Sequence, residues 1–130
     1  MNRLLLDTHV LLWLLGSKRG IGAATQALMN APGAVTYFSA ASIWEIAIKF
    51  ALGRADFAVR PDEIATAAGM SGLIELPVRA SAAARVANLP LHHRDPFDRV
   101  LVAQAIDETA RLLTVDPQLA RYSDLVMLIR

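Results

Sequence analysis

Four acidic residues stand where an apolar strand hands over to the next segment or where a helix begins. They are Asp7 after Arg3-Leu4-Leu5-Leu6, Glu45 in Ser42-Ile43-Trp44-Glu45, Asp98 in Asp95-Pro96-Phe97-Asp98, and Asp116 after Leu112-Leu113-Thr114-Val115. In an open α/β sheet the carboxyl ends of the strands form one rim, and ligands bind in the crevice there. Acids spread from position 7 to position 116 would then meet at one point. Several carboxylates cannot all stay ionised side by side without a cation. Oxygen donors of this kind suit Mg²⁺ or Mn²⁺. A divalent cation held there would lower the pKa of a bound water and stabilise charge on phosphate oxygens.

Each acid also has a purely structural reading. Asp7 precedes a helix and could be its N-cap. Glu45 lies three residues after Ser42, the spacing of a capping box, and four before Lys49, the spacing of a surface ion pair. Its neighbours Trp44 and Ile46 are apolar, and a carboxylate among such groups is costly unless something binds it. Asp95-Pro96 is a strong helix start. Capping is therefore assigned to Asp95, and metal binding to Asp98. Asp116-Pro117 repeats the cap pattern, so Asp116 remains open between cap and ligand. What favours the joint reading is placement. Asp7 and Asp116 follow strands, Glu45 and Asp98 fall in the first turns of expected helices, and in a parallel sheet those places share one rim. Asp56, Asp62, Glu63, Glu75, Asp107, Glu108 and Asp124 lack the pattern and are read as solvated or paired.

The elements that would carry these acids alternate along the 130 residues. Strands are expected at 3–6, 34–38, 73–76, 112–115 and 125–129, and helices at 8–15, 21–30, 39–52, 62–71, 80–88, 96–110 and 117–122. Such alternation predicts an α/β fold with a central parallel sheet flanked by helices on both faces. The strands are continuous apolar runs, as two-sided burial requires. No repeat or linker divides the chain, so one domain over 1–130 is expected. The segment 54–72 is the hardest to read, because Gly, Pro and mixed charges blur its periodicity.

Composition sets limits. Hydrophobic residues make up 55%, above the usual range of about 45–50%, so apolar surface awaiting a partner or second copy is expected. A formal charge of +1 implies no strong global pull toward nucleic acid. No cysteine is present, which excludes disulfides and thiolate metal sites and is compatible with the cytoplasm. No apolar run reaches the roughly 18 residues of a membrane span. The leucines after Arg3 are interrupted by Asp7 and His9, unlike a signal peptide.

Leu4-Leu5-Leu6-Asp7-Thr8-His9, the run from Ser39 to Lys49, the run from His92 to Ala105 with its Asp95-Pro96-Phe97-Asp98-Arg99 core, and Leu113-Thr114-Val115-Asp116 together resemble PIN-domain ribonucleases, most closely the VapC-type toxins of toxin–antitoxin modules. The motifs span essentially the whole chain, in the family's order. The resemblance implies a single PIN-like domain acting as an endoribonuclease dependent on Mg²⁺ or Mn²⁺, leaving a 5′-phosphate and a 3′-hydroxyl. It implies metal ligation by Asp7, Glu45, Asp98 and Asp116, the last varying most within the family. It puts Asp95 behind the ligands, and Thr8 and Thr114 beside them, where they could hold water or phosphate. It also implies a cognate antitoxin that blocks the site, and a toxin homodimer.

Around the third motif, Arg94 and Arg99 are candidates for RNA phosphates or for salt bridges to Asp95 and Asp98. His92 and His93 are read as either loop residues or substrate contacts. His9 could face the site or pack on the first helix, and Lys49 could neutralise Glu45 or touch phosphate. Trp13 and Trp44 are expected in core or interface packing. The stripe Leu11, Leu12, Leu14 and Leu15 is wide enough to suggest a dimer or antitoxin surface. Two rivals remain: a receiver-like Mg²⁺-binding signalling domain, which would need a Lys after a late strand, and a catalytically silent partner-binding module.

Overall fold

The structure is a computed structural model that describes residues 2–16 and 20–129. Five parallel strands form one sheet in the order β3-β2-β1-β4-β5, with β1 Arg3–Leu6, β2 Val35–Ser39, β3 Ile74–Leu76, β4 Arg111–Thr114 and β5 Val126–Leu128. Among the described residues six α-helices surround it: α1 Thr8–Leu15, α2 Ala23–Asn30, α3 Ala40–Ala51, α4 Pro61–Met70, α5 Ala80–Arg85 and α6 Pro96–Glu108. The chain moves outward from β1 through β2 to β3, then returns to add β4 on the other side of β1. The direction of winding thus reverses between β1 and β4, and such a switch point opens a crevice at the strands' carboxyl ends.

The period of two along the strands divides the core. Leu4, Leu6 and Leu113 face Val10, Leu11, Ile46, Phe57 and Ile64 on one side of the sheet. Leu5 and Leu112 face Leu76, Leu101, Val102 and Ala105 on the other. Burying one such aliphatic side chain contributes about 1.5–3 kcal/mol, so this two-sided sandwich fixes the register of β1 and β4 firmly. Leu11 and Leu12 are buried, and Leu14 and Leu15 are partly buried against the same cluster. This corrects the interface reading of that stripe, because the chain itself covers most of it. Apolar surface is exposed elsewhere, at Trp44, Leu52, Met70 and Leu91.

Most elements stand within two residues of expectation, and the differences have local causes. Ser39, not Ser42, caps α3: its hydroxyl accepts the Ala41 N–H at 3.0 Å. Glu45 therefore sits in the second turn, and the capping-box reading fails. Gly53 ends that helix at φ 73°, a conformation glycine adopts without strain. The expected helix over 80–88 is α5 followed by a 3-10 turn at Val86–Asn88, and the one over 117–122 shrinks to a 3-10 turn at Leu119–Arg121. In the blurred segment a 3-10 turn at Ala55–Phe57 drives Phe57 into the core.

Thr109 closes α6 in the left-handed region, at φ 51° and ψ 47°. A β-branched residue is strained there. Thr109→Gly should raise stability by about 0.5–1 kcal/mol, read as a later midpoint in urea unfolding.

Candidate metal centre

The rim is assembled from the ends of β1, β2 and β4 and the starts of α3 and α6. Asp7 follows β1 and extends the ladder, donating its N–H to the Leu113 carbonyl at 3.0 Å. Its Oδ1 accepts the Val10 N–H at 2.9 Å, which makes it the N-cap of α1. Its Oδ2 accepts the Thr114 hydroxyl. Thr114 in turn accepts the Asp116 N–H on the same oxygen, at 3.1 Å. One hydroxyl thus ties the acid after β1 to the acid after β4. Each carboxylate oxygen of Asp7 has a second lone pair left for another partner.

The cap reading and the ligand reading of Asp7 are therefore compatible. Thr8 donates its hydroxyl to Ser42 at 3.0 Å and ties α1 to α3. Glu45 is only 2% exposed. Its Oε2 accepts the Lys49 ammonium, which also lies 4.7 Å from the centroid of the Phe57 ring. Its Oε1 is buried with no hydrogen-bond partner among the described residues. A buried carboxylate oxygen left bare costs about 1–3 kcal/mol or more, so this atom marks a place where a cation would be welcome.

Asp95 caps α6 as expected, its Oδ1 accepting the N–H groups of Phe97 at 2.8 Å and Asp98 at 3.2 Å. That leaves the Asp98 side chain free to point elsewhere, and it meets the His93 ring at 2.8 Å between Oδ2 and Nε2. The same Nε2 lies 3.7 Å from Oδ2 of Asp116. Asp116 also uses Oδ1 to accept the Gln118 N–H at 2.9 Å, so its turn-forming role is real as well. Ligand atoms of His93, Asp98 and Asp116 all lie within 4.8 Å of one another.

The acids sense one another. Burial pushes the Asp98 carboxyl up to about 7, with Asp95, Glu45 and Asp7 adding to the rise and the His93 hydrogen bond opposing it. Burial also raises Asp7, opposed by its bonds from Thr114 and Val10, and Glu45 adds to the rise. Four expected acids thus share one neighbourhood, the more buried pair Asp7 and Glu45 behind the more open Asp98 and Asp116. His93 joins them. The sequence contained a signal for it, a histidine in the loop just before the Asp95-Pro96 helix start, but spacing alone gave His92 and His93 equal standing. His92 instead packs edge-on against Tyr122.

Two further polar residues support the rim through a pairing that the sequence did not reveal. Ser39 donates its hydroxyl to Gln104 Oε1 at 2.6 Å, and the Gln104 amide donates to the Pro77 carbonyl at 3.3 Å. The ends of β2 and β3 are thereby locked to α6.

Arg99 differs from its expected role as a phosphate contact or a salt-bridge partner of Asp95 or Asp98. Its guanidinium donates to the carbonyls of Pro90 at 2.9 Å, Val86 at 3.0 Å and Leu89 at 3.3 Å, and to the Tyr122 hydroxyl at 3.1 Å. Tyr122 accepts the His93 N–H at 2.8 Å and donates to its carbonyl at 3.2 Å. Arg99 and Tyr122 together therefore hold the loop that presents His93. Lysine cannot reproduce this fork of donors. Arg99→Lys should lower stability by about 1–3 kcal/mol and speed amide exchange across 86–93, measured by urea unfolding and hydrogen exchange.

Arg94 is exposed beside the site. His9 packs on Phe57 and Trp13, and it lies close enough to Asp7 to oppose the rise of that carboxyl. Trp44 is 63% exposed and meets Phe97 edge-on at 5.2 Å, so it is not core.

A model of the PIN domain matches residues 4–125. The chain belongs to the PIN domain family. Solved structures share the fold. VapBC2 from Rickettsia felis, bound to a DNA fragment from its promoter, superposes with a TM-score of 0.71 at 14% identity, covering 95% of this chain and 96% of that one. VapBC-5 from Mycobacterium tuberculosis, of the VapBC family of toxin–antitoxin systems, gives 0.63 at 22%, covering 100% and 99%. A toxin–antitoxin complex from Klebsiella pneumoniae gives 0.57 at 20%, covering 87% and 86%. No curated protein matches significantly. Membership sets aside the receiver-like alternative. Among the described residues no helix of this PIN domain is long and apolar enough to cross a membrane. Its donor set of carboxylates and one imidazole, with a bare buried Glu45 oxygen among them, fits a divalent cation.

Proposed function

We propose that this PIN domain is a divalent-metal-dependent endoribonuclease of the VapC type, the toxin of a toxin–antitoxin pair. The observation that carries the reading is the convergence of Asp7, Glu45, Asp98 and Asp116 on the switch point, with Glu45 Oε1 buried and unpaired. Those four side chains would hold Mg²⁺ or Mn²⁺. When bound, the cation supplies an activated water and charge stabilisation for in-line attack on a phosphodiester, leaving a 5′-phosphate and a 3′-hydroxyl.

The chain's own contribution is orientation. The α1 cap and the Thr114 hydroxyl fix the Asp7 carboxylate, and Asp95 takes the capping work of α6 so that Asp98 is free to ligate. Lys49 pairs with Glu45 Oε2 and would set a positive charge behind the ligands. Arg94, exposed next to the third motif, is the better candidate for the RNA backbone than Arg99.

The toxin–antitoxin complexes among the structural neighbours support a cognate antitoxin as partner. A cytoplasmic homodimer is the proposed working form. The apolar groove lined by Ala41, Trp44, Val78, Pro96, Phe97 and Val100 beside the rim supports such contacts. Purified protein should cleave RNA with Mg²⁺ or Mn²⁺ and lose the activity in EDTA. Unchanged cleavage in chelator defeats the mechanism, and ion binding or partner binding with no cleavage of any RNA favours the silent module.

A further inference from the structure

We infer that His93 is a nitrogen ligand of the same centre, binding the cation through Nε2 together with Asp98 and Asp116, and that it tilts the site from Mg²⁺ toward transition-metal ions. This rests on the metal-site reading above and adds a donor outside the four acids.

The geometry argues for it in three ways. First, Nε2 stands between two carboxylates from different elements, 2.8 Å from Asp98 Oδ2 and 3.7 Å from Asp116 Oδ2. One ring N–H serves a single acceptor well, whereas a cation in that gap serves all three donors. Donors on one ion at about 2.1 Å lie at most about 4.2 Å apart. The three ligand atoms lie within 4.8 Å, so they need close by only a few tenths of an ångström.

Second, the ring is held from behind. Tyr122 engages both the N–H and the carbonyl of His93, and Arg99 anchors Tyr122 and the loop. Ligands gain affinity when their orientation is set before the ion arrives. Third, the nearby Glu45 Oε1 is buried and unpartnered, an independent sign that the cluster awaits a positive ligand.

Imidazole is a softer donor than carboxylate or water. It adds little for Mg²⁺ and more for first-row transition ions, increasingly along the series from Mn²⁺.

The test uses Mn²⁺ and Mg²⁺ themselves, with no RNA. Electron spin-echo spectra of Mn²⁺ bound to the wild type should show ¹⁴N coupling that converts to ¹⁵N on selective histidine labelling. The coupling should vanish in His93→Gln, which assigns it to His93 and not to His9 or His92. In calorimetry, His93→Gln keeps a hydrogen-bond donor near Asp98 but loses the imidazole. It should weaken Mn²⁺ about tenfold or more and Mg²⁺ less than threefold.

Bound Mn²⁺ without histidine coupling, or equal weakening of both ions, overturns the inference and leaves the carboxylate site standing, with His93 only orienting Asp98. Failure of the wild type to bind either ion overturns the metal reading itself. The spectrum of the wild type needs no variant to fold.

Discussion

Asp7→Asn and Asp98→Asn should each slow RNA cleavage at least about a hundredfold. A carboxylate that holds the cation helps supply several kcal/mol of transition-state charge stabilisation, and each 1.36 kcal/mol is a factor of ten in rate. An amide keeps shape and one acceptor oxygen but removes the negative charge.

The choice of asparagine matters. Asp7 also caps α1 through Oδ1, and asparagine caps as well as aspartate. Asp7→Ala would add about 1 kcal/mol of lost cap stability and mix two effects. Asp98 carries no cap, because Asp95 does. Single-turnover cleavage measured beside thermal unfolding separates catalysis from folding. Asp62→Asn, which alters a surface pair with Arg60, serves as the control and should leave the rate unchanged. Full activity in both rim variants would end the proposal.

The second large effect concerns stability without metal. Burial first, and then Asp95, pushes the Asp98 carboxyl up to about 7 in the folded protein, well above its ordinary value of 3.8. Between those two values the folded chain binds a proton that the unfolded chain has released. The stabilisation is complete below about pH 4 and is lost as pH rises through about 7. Asp7 shifts in the same direction, again chiefly through burial. Asp56 and Asp107 shift downward, so their contributions are lost as pH falls through the acid range and do not oppose this trend between pH 5 and pH 8.

Metal-free protein should therefore be less stable at pH 8 than at pH 5. Asp98→Asn should remove much of that slope and exceed the metal-free wild type at pH 8 by on the order of 1–3 kcal/mol. Urea unfolding at the two pH values, with EDTA, reads the difference. Added Mn²⁺ at pH 8 should restore the wild type, because a ligand that binds only the folded state stabilises it. A variant with the wild type's pH slope would show that Asp98 is not the strained group.

Much of this was legible in the sequence, for identifiable reasons. The strands are short apolar runs bounded by polar or turn residues, so their burial and order could be read directly. The four acids could be placed because parallel strands put their ends on one rim. What periodicity could not supply was the identity of partners. Ser39 and Ser42 are both reasonable caps by type, and only the end of β2 decides for Ser39. Phe57 is a single apolar residue among charges, and its burial depends on α1, α3 and α4 meeting over it. Arg99 lies among aspartates in sequence, yet the start of α6 aims it at a loop from the preceding turn. His93 and His92 are adjacent and alike. The Tyr122 contacts, formed across 29 positions, separate the one that meets acids from the one that meets a ring.

The Arg99 grip has a consequence for how this sequence is free to drift. Along the loop it reads the chain through backbone oxygens, which every amino acid possesses. Positions 86 and 90 are therefore the more open to exchange while the shape they trace is preserved, whereas Leu89 also packs on the core, and the burden of keeping His93 in place falls on the side chains at 99 and 122. In laboratory selection for function, substitutions should be tolerated at positions 86 and 90 and be scarce at positions 99 and 122.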